Sequence, residues 1–122
     1  MKQVLIIDDD LRNTFALSAV LKAKGYAVAI ANNMVEAFAI LEKQANKTGI
    51  ILLDMMMPGM DGYDAIPVLK STRDYKNIPV VAVTAQAMAG DREKCLEAGA
   101  DDYMPKPVDV DLLIEILDEC LK

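Results

Sequence analysis

Gly49-Ile50-Ile51-Leu52-Leu53-Asp54, residues 49–54, is an unbroken apolar run that stops on a carboxylate. A short continuous run of apolar side chains reads as a buried strand of a parallel sheet. Two other runs end in the same way. Ile6-Ile7 leads into Asp8-Asp9, and Val80 to Val83 leads into Thr84. A fourth segment delivers Lys106. Parallel strands point their carboxyl ends in one direction, so residues just past those ends meet in one crevice even when far apart in sequence. Three carboxylates, a hydroxyl and an amine are therefore expected as neighbours.

The segments between these runs alternate in type. Val4 to Ile7 reads as a strand, followed by a helix from about Leu11 to Lys24 that Gly25 stops as a C-terminal cap. Ala27 to Ala31 is a second strand, and Asn32 or Asn33 caps a helix reaching about Ala45, with Val35, Phe38, Ala39 and Leu41 among its apolar positions. After the strand Gly49 to Leu53, the loop Met55 to Asp61 carries Pro58 and Gly59, and Asp61 caps a helix to Leu69 or Lys70. Pro67 lies inside that helix, where a kink or an early end is expected. Pro79 opens the strand Val80 to Val83. A helix of about Met88 to Glu97 ends at Gly99, a short strand spans Asp102 to Met104, and a last helix runs from Asp109 to Leu121. Five strands alternating with five helices predict one α/β domain over residues 1–122. Its parallel sheet would be doubly wound through right-handed crossovers, with helices on both faces.

Three carboxylates raise each other's pKa unless a cation lies among them. Mg²⁺ suits such a cluster, since it takes hard oxygen ligands, commonly one or two carboxylates with waters and a phosphate oxygen. Asp8 and Asp9 come as a pair suited to the metal, which leaves the solitary Asp54 as the nucleophile that attacks phosphorus to give an aspartyl phosphate. Phosphoryl transfer asks mainly for positioning and for neutralisation of the equatorial oxygens. The metal, the Lys106 ammonium and the Thr84 hydroxyl share that task.

Composition narrows the classes. The 122 residues are 53% hydrophobic, enough for one domain with a real core. A formal charge of -6 argues against direct nucleic-acid binding, which needs a basic face. With no histidine the chain holds neither a phosphohistidine nor a Ser-His-Asp or Cys-His nucleophile, so any phosphohistidine donor is another protein or domain. Cys95 and Cys120 read as free thiols in a reducing compartment. Met1-Lys2-Gln3-Val4-Leu5 runs directly into strand pattern without the shape of a signal peptide, and no apolar stretch approaches a membrane span. The expected location is cytoplasmic.

Ile6-Ile7-Asp8-Asp9-Asp10, Leu53-Asp54-Met55-Met56-Met57-Pro58-Gly59-Met60-Asp61-Gly62, Val83-Thr84-Ala85 and Lys106-Pro107 together resemble the receiver domains of two-component response regulators, in order and over essentially the whole chain. The stretch from Thr84 to Val108 is similar to receivers of hybrid sensor kinases. The resemblance implies a flavodoxin-like fold with strand order 2-1-3-4-5, and a phosphoryl group passed to Asp54 from a histidine kinase or a histidine phosphotransfer domain. It further implies that Asp8, Asp9, Asp54 and the main-chain carbonyl of Met56 hold Mg²⁺, and that Lys106 pairs with the phosphoryl oxygens beside a cis Lys106–Pro107 bond. Thr84 and Tyr103 match the family's switch pair, whose movement reshapes the surface of the fourth helix, fifth strand and fifth helix. The chain would catalyse only its own phosphorylation and dephosphorylation, as a stand-alone relay or as the first domain of a longer protein.

Several residues invite a narrower reading. Asp10 fits an acidic helix start better than a third metal ligand, and the Met55-Met56-Met57 run fits apolar filling better than a thioether site. Met56 and Gln86, two residues after Asp54 and Thr84, flank the path of the hydrolytic water. An apolar Met56 predicts slow self-dephosphorylation. In the first helix, Ala16, Leu17, Val20 and Leu21 form the expected core stripe, with Leu11 and Phe15 toward its edge, either docking a kinase or phosphotransfer helix or packing at the core margin. Two other classes compete. A Mg²⁺-dependent phosphatase of the haloacid dehalogenase type would place an acid where Met56 stands, and a non-phosphorylated interaction module would not need Asp54, Thr84 and Lys106 intact.

Overall fold

The computed structural model describes residues 2–85 and 90–121. Five strands and five α-helices alternate along the chain: β1 (Gln3–Ile7), α1 (Leu11–Ala23), β2 (Val28–Ala31), α2 (Met34–Gln44), β3 (Thr48–Asp54), α3 (Gly62–Ser71), β4 (Val80–Thr84), α4 (Asp91–Ala98), β5 (Asp102–Pro105) and α5 (Val110–Leu121). One 3₁₀ turn, Ala45–Lys47, joins α2 to β3. All strand pairs are parallel and the sheet order is β2-β1-β3-β4-β5. The architecture expected from the alternation and from the resemblance is therefore present.

Alternate side chains of each strand feed two cores, as the period of two requires. Leu5, Ile7, Ile51, Leu53, Val80 and Ala82 pack with residues of α2, α3 and α4. Val4, Ile6, Ile50, Leu52, Val81 and Val83 pack with Leu17 and Leu21 of α1 and with Leu113 and Leu117 of α5. Every residue of β3 is buried, which explains why its sequence is apolar without alternation.

Local chemistry sets the helix ends. Asp10 caps α1 by accepting from the Arg12 and Asn13 amides at 3.0 and 3.2 Å, so its expected role at the helix start holds. Lys24 closes that helix and Gly25 follows with φ of 95°. Asn33, rather than Asn32, caps α2 through the Glu36 amide. Asp61 caps α3 through the Asp64 amide, and Asp109 accepts from the Asp111 and Leu112 amides at the start of α5. Gly62 opens α3 where a Cβ would collide with the side chain and backbone of Met55, so only glycine lets the helix start against the strand end.

The early end expected at Pro67 does not occur. Pro67 is exposed and α3 continues to Ser71. The expected start of the fourth helix at Met88 lies outside the described residues, while Gly99 caps its end as anticipated. Other strand and helix bounds differ from the expectation by one or two residues.

Candidate functional site

Register brings the chemical groups together. Ile7 of β1 stands opposite Leu53 of β3, so Asp8 and Asp54 leave the sheet side by side. Asp54 stands opposite Val83, which puts Thr84 one step further along the neighbouring strand. Pro105 pairs with Thr84, and the Lys106 amide donates to the Thr84 carbonyl at 2.8 Å. Lys106 follows from the edge strand, with the expected cis bond to Pro107.

At that edge of the sheet, carboxylate oxygens of Asp8, Asp9 and Asp54 lie within 4.8 Å of one another. Asp8 and Asp54 are 3% and 5% exposed, whereas Asp9 is exposed. Lys106 Nζ stands 3.1 Å from Asp8 Oδ2 and 3.3 Å from Asp54 Oδ2. The amide of Asp10 donates to Asp8 Oδ1 at 2.9 Å, Asn13 Nδ2 donates to Asp8 Oδ2 at 2.7 Å, and the Met56 amide donates to Asp54 Oδ1 at 3.0 Å. Sequence reading missed Asn13. Its only signal was a helix-averse residue in the first turn after an acid pair.

The two buried carboxyls are driven apart electrostatically. Burial pushes Asp8 up, but the Asp10 amide, the Asn13 amide and Lys106 together outweigh it and hold the carboxyl below its ordinary value. Burial also pushes Asp54 up, and the neighbouring Asp8 charge adds to it. The Met56 amide and Lys106 do not fully offset these effects, so Asp54 ends above its ordinary value. Burial pulls Lys106 down, yet its hydrogen bond to Asp8 and the charges of Asp54 and Asp8 leave its ammonium held above the ordinary lysine range.

This donor set fits a divalent cation. It offers hard oxygens only, two of them shielded and one on the solvent side where waters reach, and three carboxylates outnumber the single ammonium among them. Asp8, Asp9 and Asp54 would hold such an ion. Met56 is half exposed at its side chain, whereas Met55 and Met57 are buried, which agrees with their expected role as apolar filling.

Thr84 is buried at the end of β4. Tyr103 faces Ala82 in the adjacent register and packs half-buried against the α3–α4 side of the core. Burial, followed by the Asp91 and Cys95 charges, raises its phenol. On the same side of the sheet, Tyr63 Oη lies 3.9 Å from Cys95 Sγ, and burial with that contact pushes the Tyr63 phenol up to about 12.

The stripe expected on α1 needs correction. Its buried residues are Thr14, Leu17, Ser18 and Leu21, while Ala16 and Val20 are exposed. Thr14 can be buried because its hydroxyl donates within the helix to the Leu11 carbonyl at 3.1 Å. Phe15 and Leu11 are 76% and 65% exposed, so Phe15 does not pack at the core margin.

A family model for the response regulator receiver domain matches residues 4–118. The chain belongs to that family. It is 34% identical over 121 residues to hybrid signal transduction histidine kinase I of Dictyostelium discoideum, covering 95% of this chain and 7% of that protein. It is 42% identical over 107 residues to the transcriptional regulatory protein CpxR homolog of Haemophilus influenzae, covering 88% of this chain and 44% of that protein. The chain thus spans less than half the length of either curated relative. Among solved structures, the receiver domain of the sensor histidine kinase PA1611 of Pseudomonas aeruginosa superposes with a TM-score of 0.86 at 32% identity, covering 98% of this chain and 97% of that one, and holds a magnesium ion in its active-site cleft. Chemotaxis protein CheY4 of Vibrio cholerae gives 0.87 at 26% identity with 98% of both chains covered. The chain is a phosphoacceptor receiver domain of the kind found in response regulators and hybrid kinases. Among the described residues no helix is long and apolar enough to cross a membrane.

Proposed function

We propose that Asp54 is the phosphoacceptor and that Asp8, Asp9, Asp54 and the Met56 carbonyl hold Mg²⁺. The observation that carries this reading is the convergence of three carboxylates and Lys106 Nζ at the carboxyl ends of β1, β3 and β5. Mg²⁺, when bound, neutralises the acids and draws charge from the phosphoryl oxygens.

The remaining work falls to this chain's side chains. An Asp54 oxygen attacks phosphorus as the P–N bond of a phosphohistidine breaks, and the imidazole leaves with the bonding pair. Lys106, already paired with Asp54 and Asp8, can turn its ammonium to the arriving phosphoryl oxygens. Thr84 lies one residue beyond the strand position opposite Asp54, suited to donate its hydroxyl to the phosphoryl group. Tyr103 then follows as the second half of the switch, and the surface of α4, β5 and α5 changes for an unidentified downstream protein.

The phosphoryl donor is a histidine kinase or a histidine phosphotransfer domain, docking on the exposed Leu11 and Phe15 of α1. Residues 1–122 act as one receiver unit in the cytoplasm, without direct contact to nucleic acid or membrane, and catalyse only their own phosphorylation and dephosphorylation. Calorimetric titration tests the metal assignment. One Mg²⁺ should bind the unaltered chain, and Asp8→Ala with Asp9→Ala should weaken binding at least ten-fold or so. Unchanged affinity in that double variant would overturn it.

A further inference from the structure

Asn13 is the third residue of α1, where its short amide side chain lies close to the chain that leads into the helix. Side chains on a helix lean toward its N-terminus, and this carries the Asn13 amide back to a carboxylate five residues earlier. There Nδ2 donates to Asp8 Oδ2 at 2.7 Å. The Asp10 amide holds the other oxygen at 2.9 Å, so both Asp8 oxygens have fixed donors from the start of α1. Rotation of the carboxylate about its own bond would break one or both. Lys106 Nζ, 3.1 Å from the same Oδ2, is the third group on Asp8.

We infer that Asn13 is a positioning residue for the metal site: its amide holds the Asp8 carboxylate in the arrangement that brings its oxygen within 4.8 Å of those of Asp9 and Asp54. This rests on the reading that these acids hold Mg²⁺. The choice of a neutral donor follows from the electrostatics. A lysine or arginine at position 13 would set a second cation against Asp8 and compete with a divalent ion. An acid there would repel Asp8 and provide no N–H. An amide orients the ligand without altering the net charge that attracts the metal, which is how residues behind a metal ligand tune it.

The test compares the unaltered chain with Asn13→Ala, Asn13→Gln and Arg12→Ala, the last an exposed neighbour on the same turn. Mg²⁺ affinity is measured by calorimetry, melting temperature in chelator, and acetyl phosphate labelling across a Mg²⁺ series. Asn13→Ala should weaken Mg²⁺ binding roughly ten-fold, Asn13→Gln should recover part of it, and Arg12→Ala should leave it unchanged. At saturating Mg²⁺ the labelling rate of Asn13→Ala should return to within about two-fold of the unaltered chain, since only metal capture is impaired. A lower melting temperature with unchanged Mg²⁺ affinity would overturn the inference and leave Asn13 a structural residue. Tighter binding in Asn13→Ala would also overturn it, by showing that the amide restrains Asp8 against the metal. Failure of the unaltered chain to bind Mg²⁺ would remove the metal reading itself, and this inference with it.

Discussion

Asp54, the proposed phosphoacceptor, is buried and carries an electrostatic cost for being so. Its carboxyl sits above the ordinary value of 3.8 because burial and the Asp8 charge outweigh the Met56 amide and Lys106. A carboxyl with a higher pKa folded than unfolded binds more protons in the folded state, so its contribution to stability is full below 3.8 and is lost as pH rises through the folded value. Asp8, held below 3.8, acts in the opposite sense and loses stability as pH falls through its lowered value. In chelator at neutral pH, Asp54→Asn should therefore melt a few degrees higher than the unaltered chain, with the gap closing as pH drops below the carboxylate range. A lower melting temperature, or a gap that widens in acid, would contradict this balance. Met56 gives a kinetic prediction at the same scale. Its half-exposed thioether beside Asp54 can neither orient nor activate water. Met56→Asn should shorten the lifetime of the phosphorylated form severalfold, read by loss of label after the donor is removed.

At the scale of elements, strand ends were legible and helix faces less so. A parallel strand buried on both sides writes itself as an apolar run, and a sheet aligns the ends of such runs. The strand register places Asp8, Asp54, Thr84 and Lys106 at or just past the carboxyl ends of β1, β3, β4 and β5, as the apolar runs imply. Helix α1 was misread because apolarity was taken for burial. Thr14 satisfies its hydroxyl inside its own helix and goes inward, while Ala16 and Val20 stay outside. Val35, one of the apolar positions noted on α2, is 80% exposed for the same reason of helical phase. Asn13 was missed since its role depends on the direction a side chain takes along a helix, which no residue count reveals. The exposure of Phe15 sharpens the docking proposal. Phe15→Ala should slow phosphorylation by a cognate phosphohistidine donor at least several-fold and leave acetyl phosphate labelling and melting temperature almost unchanged. Equal slowing with both donors would place Phe15 in the site's own upkeep.

Across the whole molecule the sheet serves as a frame between two separate cores. α2, α3 and α4 pack on one face and α1 and α5 on the other. The proposed phosphoryl site lies at the carboxyl edge of the sheet, where charged groups from three strands meet. β5 carries Tyr103 and leads directly into Lys106, so a change at the proposed phosphoryl site would have a short covalent route to the α4–β5–α5 surface. Phosphoryl acceptance at Asp54 is read most directly from intact mass after incubation with acetyl phosphate and Mg²⁺, alongside Asp54→Asn and a chelated sample. The unaltered chain should gain one phosphoryl group and neither control should gain any. Labelling that persists in Asp54→Asn, or acetyl phosphate steadily consumed with no adduct on the protein, would contradict it.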